Sequence, residues 1–211
     1  MAELSAVSGS NVRGTVEVRA VADPERGTHV VRFERSVAGG AWTTIGRDDS
    51  SPAYTVFDDL APLGLAAGTQ VRYRAILAEA GGTRVTSPVR TVRYAGPPLT
   101  TATVRYHRPA GDYAGWGLHL WGDGIDPATL AQVAWDKPLP PARIAGDWAE
   151  YDIPLVDDTD PVNFIMHLPS GDTVPTSREP GGDRSFVPID NPAIWLVQGD
   201  PVVHTSPPPT T

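Results

Sequence analysis

Val104 to Asp123 reads VRYHRPAGDYAGWGLHLWGD. Successive side chains of an extended chain point to opposite faces. In Gly117–Trp121, Leu118 and Leu120 therefore share one face, and Trp116 keeps the same phase. An apolar row of that kind belongs to a core. His119 and Trp121 then point the other way, either to solvent or to a ligand. On the residues alone two readings stay open. One is a ring pair exposed for stacking; the other is a Trp121 covered by a loop beside an ordinary surface histidine.

The same period of two recurs along the chain. Alternating segments are Val12–Ala20, His29–Arg35, Ala41–Ile45, Tyr54–Phe57, Gln70–Leu77, Val89–Tyr94, Thr101–Arg108, Trp148–Ile153, Val162–His167 and Ala193–Gln198. Gly, Pro, Asp and Ser turns separate them, the pattern of sandwiches or barrels. Asp126 to Val133 is the best helical candidate, one or two turns with Asp126 as N-cap and Pro127 in the first position. The fold class expected is all-β, as two tandem antiparallel β-sandwich domains. The break falls at Ala95-Gly96-Pro97-Pro98, where tandem prolines favour an extended backbone. Domains are expected over 1–95 and 101–203, with a linker over 96–100 and a Pro/Thr tail over 204–211.

The 211 residues suit two small domains or one large one, and Gly (21) with Pro (22) fit a turn-rich globular chain. Without cysteine there are no disulfides, thiolate metal sites or thiol catalysis. The net charge of −8 argues against a general nucleic-acid binder, which needs a basic face. Lys137 is the one lysine, an arginine bias attributable to coding composition. No stretch approaches membrane-spanning length. Met1-Ala2-Glu3-Leu4 lacks the marks of a signal peptide, so either a cytosolic protein or an excised piece of a larger one is expected.

In the first half, Val71, Tyr73, Ala75 and Leu77 alternate with Arg72, Arg74 and Ile76, and Gly39-Gly40 before Trp42 reads as a hairpin turn. Leu65 to Arg74 (LAAGTQVRYR) resembles the corner of a fibronectin type III or related immunoglobulin-like domain. That family's corner tyrosine would fall at Val71; here Tyr73 lies two residues later. Trp42, Asp48-Asp49 and Asp58-Asp59 are the candidate binding residues of this half. They read better as a core edge and turn formers, and the half as a spacer.

The second half resembles the bacterial pullulanase-associated domain, a starch-binding module of carbohydrate-binding family 41. Four ordered blocks carry the resemblance: Val104–Asp123, Val162–His167 (VNFIMH), Arg178–Arg184 (REPGGDR) and Ala193–Asp200 (AIWLVQGD). It implies an aromatic platform for α-glucan at His119 and Trp121, positions usually held by two tryptophans, so a histidine there offers less stacking area. It also implies hydroxyl contacts from Arg178 and Asp183, with arginine standing for the family's lysine. The competing reading is a loop salt bridge from Asp183 to Arg178 or Arg184. Trp135, in a loop before Lys137-Pro138, is a candidate extension of the platform. Trp195 is assigned to the fold, either face of its strand being open to the core, and Trp148 is expected to form a lid on the core.

Catalytic signatures are missing: no Gly-x-Ser-x-Gly, P-loop or His-Glu-x-x-His occurs. The acidic runs Asp123–Asp126 and Asp157–Asp160 read as turn caps rather than a hydrolytic pair, and the spacing of the latter is not that of an EF-hand. The five histidines are dispersed. Neither a metal nor a cofactor is expected. The expected function is a non-catalytic segment of a larger, secreted or cell-surface, pullulanase-type enzyme. It would be monomeric, bind α-1,4-glucan stretches of starch, glycogen or pullulan, touch neither nucleic acid nor membrane, and be joined covalently to a catalytic domain. The alternatives are a structural or adhesive module without sugar binding, and a small glycoside hydrolase.

Overall fold

The computed structural model describes residues 2–6, 10–22, 29–50, 53–78, 84–170 and 172–209. The chain divides into two compact units, Met1–Pro97 and Pro98–Thr211. Both are built almost wholly from strands, so the chain is all-β. Thr210 and Thr211 of the expected tail lie outside the described residues.

The first unit contains β1 (Ala2–Ala6), β2 (Asn11–Val12), β3 (Thr15–Ala22), β4 (Val30–Val37), β5 (Thr43–Asp48), β6 (Tyr54–Asp59), β7 (Gln70–Ala78), β8 (Arg84–Thr86) and β9 (Arg90–Tyr94). One sheet runs β1-β3-β6; the other runs β2-β9-β7-β4-β5, with β8 also on β7. Strict alternation buries Val16, Val18, Ala20 and Ala22 of β3, which meet Phe33, Tyr54, Val71, Tyr73 and Ala75 in one core. Tyr73 is fully buried, and its hydroxyl donates to Asp58 Oδ2 at 2.9 Å, while Arg35 Nη1 lies 2.5 Å from Asp58 Oδ1. A buried hydroxyl must find an acceptor, and Asp58 supplies it, so this aspartate is a core anchor rather than a turn former. The β4–β5 turn centres on Ala38 and Gly39 (φ 48° and 79°), one residue earlier than the Gly-Gly pair suggests. Trp42 is half-buried under two guanidinium groups, Arg74 at 4.2 Å and Arg72 at 5.4 Å from its ring centroid.

The second unit contains β10 (Thr101–His107), β11 (Gly117–Trp121), β12 (Arg143–Ala145), β13 (Trp148–Pro154), β14 (Val162–His167), β15 (Arg184–Phe186) and β16 (Ala193–Val197). Sheets β12-β13-β10-β16 and β11-β14-β15 enclose a core of Val104, Tyr106, Trp116, Leu118, Leu120, Tyr151, Ile153, Phe164, Met166, Ile194 and Leu196. Pairing is antiparallel except for β2 with β9 and β10 with β16, where the chain returns to lie parallel to an earlier strand. The one α-helix among the described residues, α1 (Pro127–Leu130), is capped by Asp126, whose side chain accepts from Ala128 N at 3.3 Å; a single 3-10 turn covers Ala61–Leu63 of the first unit.

The unit's borders are wider than the composition suggests. Leu99 packs on this core and donates its N–H to Asp158 Oδ2 at 2.8 Å, and Thr100 O accepts from Leu155 N at 2.9 Å. Both residues of the expected linker are thus built into the sandwich. At the other end His204 pairs with Trp195 through two backbone hydrogen bonds of 2.9 and 3.0 Å. Trp148 is not a lid on the core: it alternates with buried Ala149 and Tyr151, and its ring meets His107 at 5.3 Å on the outer face. Trp195 also faces outward, with Arg105 5.2 Å from its ring.

Candidate functional site

The outer face of β11-β14-β15 carries the site. In β11, Leu118 and Leu120 are buried, while His119 and Trp121 are half-buried on the outer side. In β14, Val162, Phe164 and Met166 fill the core, which leaves Asn163, Ile165 and His167 on the outer face. The antiparallel register sets Trp121 opposite Asn163, His119 opposite Ile165 and Gly117 opposite His167. Beyond His167 lies Arg178, joined to it by an isolated bridge.

A fourth segment lies along the free edge of β11. Leu118 and Leu139 exchange backbone hydrogen bonds of 2.8 and 3.0 Å. Gly117 permits this approach, since a Cβ there would stand 2.6 Å from Leu139 O. Just before Leu139, Ala134 and Lys137 pair through two 3.0 Å bonds, so Trp135 and Asp136 form the tip of a tight turn. That turn sets Trp135 against the sheet face. Its ring stacks on His167 at 4.2 Å and 17°, and meets His119 edge-on at 5.4 Å and 69°. His119 lies 5.9 Å from Trp121 and 6.0 Å from His167. Trp121, His119 and Trp135 therefore form one connected set of half-buried rings, and His167, with no exposed surface, lies against two of them.

His167 is fixed by its surroundings. Its Nδ1 donates to Leu168 O at 2.6 Å, which leaves Nε2 as the bare nitrogen. Burial, with His119 and Arg178 nearby, holds its pKa below the ordinary histidine value against the pull of the Leu168 carbonyl and Asp172. Among the described residues, His119 Nδ1, His167 Nε2 and Arg178 Nε are buried without a hydrogen-bond partner.

Residues 178–184 are held from beneath by Glu179, which is 2% exposed. It accepts hydrogen bonds from the Tyr106 hydroxyl, from Gly199 N at 2.6 Å and from Arg108 Nη1 at 3.5 Å. Arg108 is itself buried against Trp116, 4.3 Å from the ring centroid, and makes two 2.8 Å bonds to Asp112. Arg184 turns inward and donates to Pro180 O and to Asp200 O.

A sequence profile of the bacterial pullanase-associated domain matches residues 100–205. The chain belongs to this family. A stretch of 85 residues is 34% identical to an alpha-amylase of Streptomyces lividans; it covers 40% of this chain and 9% of that protein. Among solved structures, family 41 carbohydrate-binding modules from streptococcal virulence factors align over 90% of this chain and 96% of theirs, at 16% identity and a TM-score of 0.42. Fibronectin(III)-like modules of CbhA from Clostridium thermocellum align over 94% of both chains, at 15% identity and a TM-score of 0.37.

In this pullanase-associated domain the structure brings four of the five expected site residues together. His119, Trp121 and Trp135 share the ring cluster, and Arg178 adjoins His167. Asp183 is exposed, and it alternates with buried Arg184 and Phe186, so it shares the outer side with Ser185. Among the described residues Asp183 has no ion pair with Arg178 or Arg184, so the loop salt bridge does not form. His167 was not among the expected residues. The signal was present, since it has the phase of Asn163 in an alternating strand, but that phase alone does not say which rings pack on it. The acidic runs have structural duties: Asp126 caps α1, Asp157 accepts from Thr159 N and Oγ1 at 2.8 and 2.7 Å, and Asp158 holds Leu99 N.

Proposed function

We propose that the second unit is a non-catalytic α-glucan-binding module. It binds α-1,4-linked stretches of starch, glycogen or pullulan across Trp121, His119 and Trp135. The observation that carries this reading is the gathering of three half-buried rings on one outer sheet face, reached by strand alternation and a dedicated turn. The flat CH faces of consecutive sugars stack on such rings, each adding ~0.5–1.5 kcal/mol beyond burial. Arg178 and Asp183 supply a donor and an acceptor at the edge for sugar hydroxyls. The family membership and the identity to a segment of an alpha-amylase support the same ligand class.

The module acts as part of a longer, secreted or surface-exposed amylolytic enzyme of the pullulanase type. By holding the polymer, it raises the substrate concentration seen by a tethered catalytic domain. The first unit, over about residues 1–95, serves as a spacer, and the chain is a monomer. Affinity electrophoresis in gels containing amylopectin, glycogen or pullulan tests this. Retardation on these gels, and none on a β-1,4-glucan gel, is expected. Unretarded migration on all three α-glucans would overturn the proposal, and reducing sugar released from pullulan would favour a hydrolase.

A further inference from the structure

Three rings can bind a polymer only if all three stay in place, and Trp135 is the one on a turn rather than a strand. What holds it is the face of His167. We infer that His167 is the positioning residue for Trp135 and that it works only as the neutral imidazole, so that acidification releases Trp135 and weakens glucan binding. This rests on the glucan-binding reading above.

The geometry supports the inference at three points. First, the two rings are nearly parallel at 4.2 Å and 17°, the one face-to-face stack in the cluster; the His119 contacts with Trp121 and Trp135 are tilted at 43° and 69°. Second, the His167 ring cannot turn freely, because Nδ1 is bonded to Leu168 O at 2.6 Å and the ring has no exposed surface. Third, a second proton would have to enter at Nε2, which has no acceptor among the described residues. A buried donor without an acceptor is costly.

The groups facing His167 sharpen this. His119 from β11 and Arg178 from the segment beyond β14 both oppose a positive charge there, whereas exposed Asp172, in the loop after β14, favours one. An imidazolium on an indole face gains a cation–π contact. Burial opposes that gain and is the largest influence on this ring, which holds its pKa low. The sign follows. A ring that titrates below its solvent value in the stacked state, and near 6.5 once released, favours release as pH falls below the ordinary histidine range. Above that range the stack is unaffected by pH.

The test uses the whole chain and two readouts. The first needs no sugar: tryptophan fluorescence from pH 7.5 to 4.5 for the unmutated protein, His167→Phe and His167→Asn. Phe keeps a stacking ring that cannot titrate; Asn keeps a donor for Leu168 O but has no ring. A pH-dependent transition that Trp135→Ala and His167→Phe each abolish is expected. A transition that persists in His167→Phe overturns the proposal, as does its absence from the unmutated protein.

The second readout is maltoheptaose affinity at the two pH extremes. The unmutated protein should bind about 3- to 10-fold more weakly at pH 4.5, the loss of one stacking ring. His167→Phe should keep near-neutral affinity at both pH values, and His167→Asn should be weak at both. His119→Phe should retain the pH dependence; if it alone removes the dependence, His119 is the sensor and the inference is wrong. Absence of binding at pH 7.5 in the unmutated protein would count against the glucan reading, while the fluorescence transition decides the stacking lock separately.

Discussion

Replacing Glu179 by alanine should cost the second unit about 4 kcal/mol. The carboxylate is 2% exposed and accepts from the Tyr106 hydroxyl, Gly199 N–H and Arg108. Removing one partner of a buried ion pair costs about 3–5 kcal/mol, and an orphaned buried donor ~1–3 kcal/mol. The sum is moderated because Arg108 keeps its two bonds to Asp112 and its place over Trp116, and because Tyr106 still accepts from Arg108 Nη1 at 2.8 Å. Buried Arg184, whose pKa burial pushes down, also loses the nearby negative charge that opposes this shift. At about 4 °C per kcal/mol for a unit of this size, the melting transition of the second unit should fall by ~16 °C. Differential scanning calorimetry of the whole chain reads this, with the first unit's transition as internal reference. Glu179→Gln, which keeps the shape and one acceptor, should lose roughly half as much. A fall of under about 3 °C in the alanine variant would refute the view that Glu179 anchors the segment between Arg178 and Asp183.

Further outcomes concern each unit separately. Tyr73→Phe should destabilise the first unit by about 1–3 kcal/mol by leaving Asp58 with one partner fewer, measured by urea unfolding. Trp135→Ala should weaken retardation in amylopectin by about tenfold at pH 7.5, one ring's worth of stacking, without lowering the melting temperature as Glu179→Ala does. Acid should unfold the second unit through its paired carboxylates. Hydrogen bonds from Arg105 and Arg143 hold Glu150 below its usual range, as Arg108 does for Asp112. Depressed folded values give stability that is present above about pH 4.5 and lost as pH falls through them. Glu150→Gln should therefore flatten the fall in melting temperature below pH 4.5.

Much of the site was readable from strand periodicity. Leu118, Leu120 and Trp116 set the phase of β11, and that phase alone turned His119 and Trp121 outward. Trp135 was harder, because it stands on no strand. Its position depends on a bridge between Leu118 and Leu139, a tertiary pairing with no local pattern to announce it. His167 and Glu179 escaped for a related reason. Each is a polar residue wholly buried by tertiary contacts, and alternation states which face a residue takes but not what later covers it. Trp148 shows the same limit, since its phase with Glu150 and Asp152 was legible, yet its place beside the Gly146-Asp147 turn suggested a lid on the core. The unit borders at Leu99 and His204 were set by a backbone N–H bonded to the Asp158 carboxylate and by a two-bond backbone bridge, which composition does not register.

The proposed α-glucan platform consists of Trp121, His119 and Trp135. Titration calorimetry at pH 7.5 with maltoheptaose and with cellohexaose, on the unmutated chain and on Trp121→Ala, tests it most directly. Saturable heat is expected with maltoheptaose alone, weakened about tenfold or more in Trp121→Ala. Equal binding of both oligosaccharides, or maltoheptaose binding indifferent to Trp121, would contradict it.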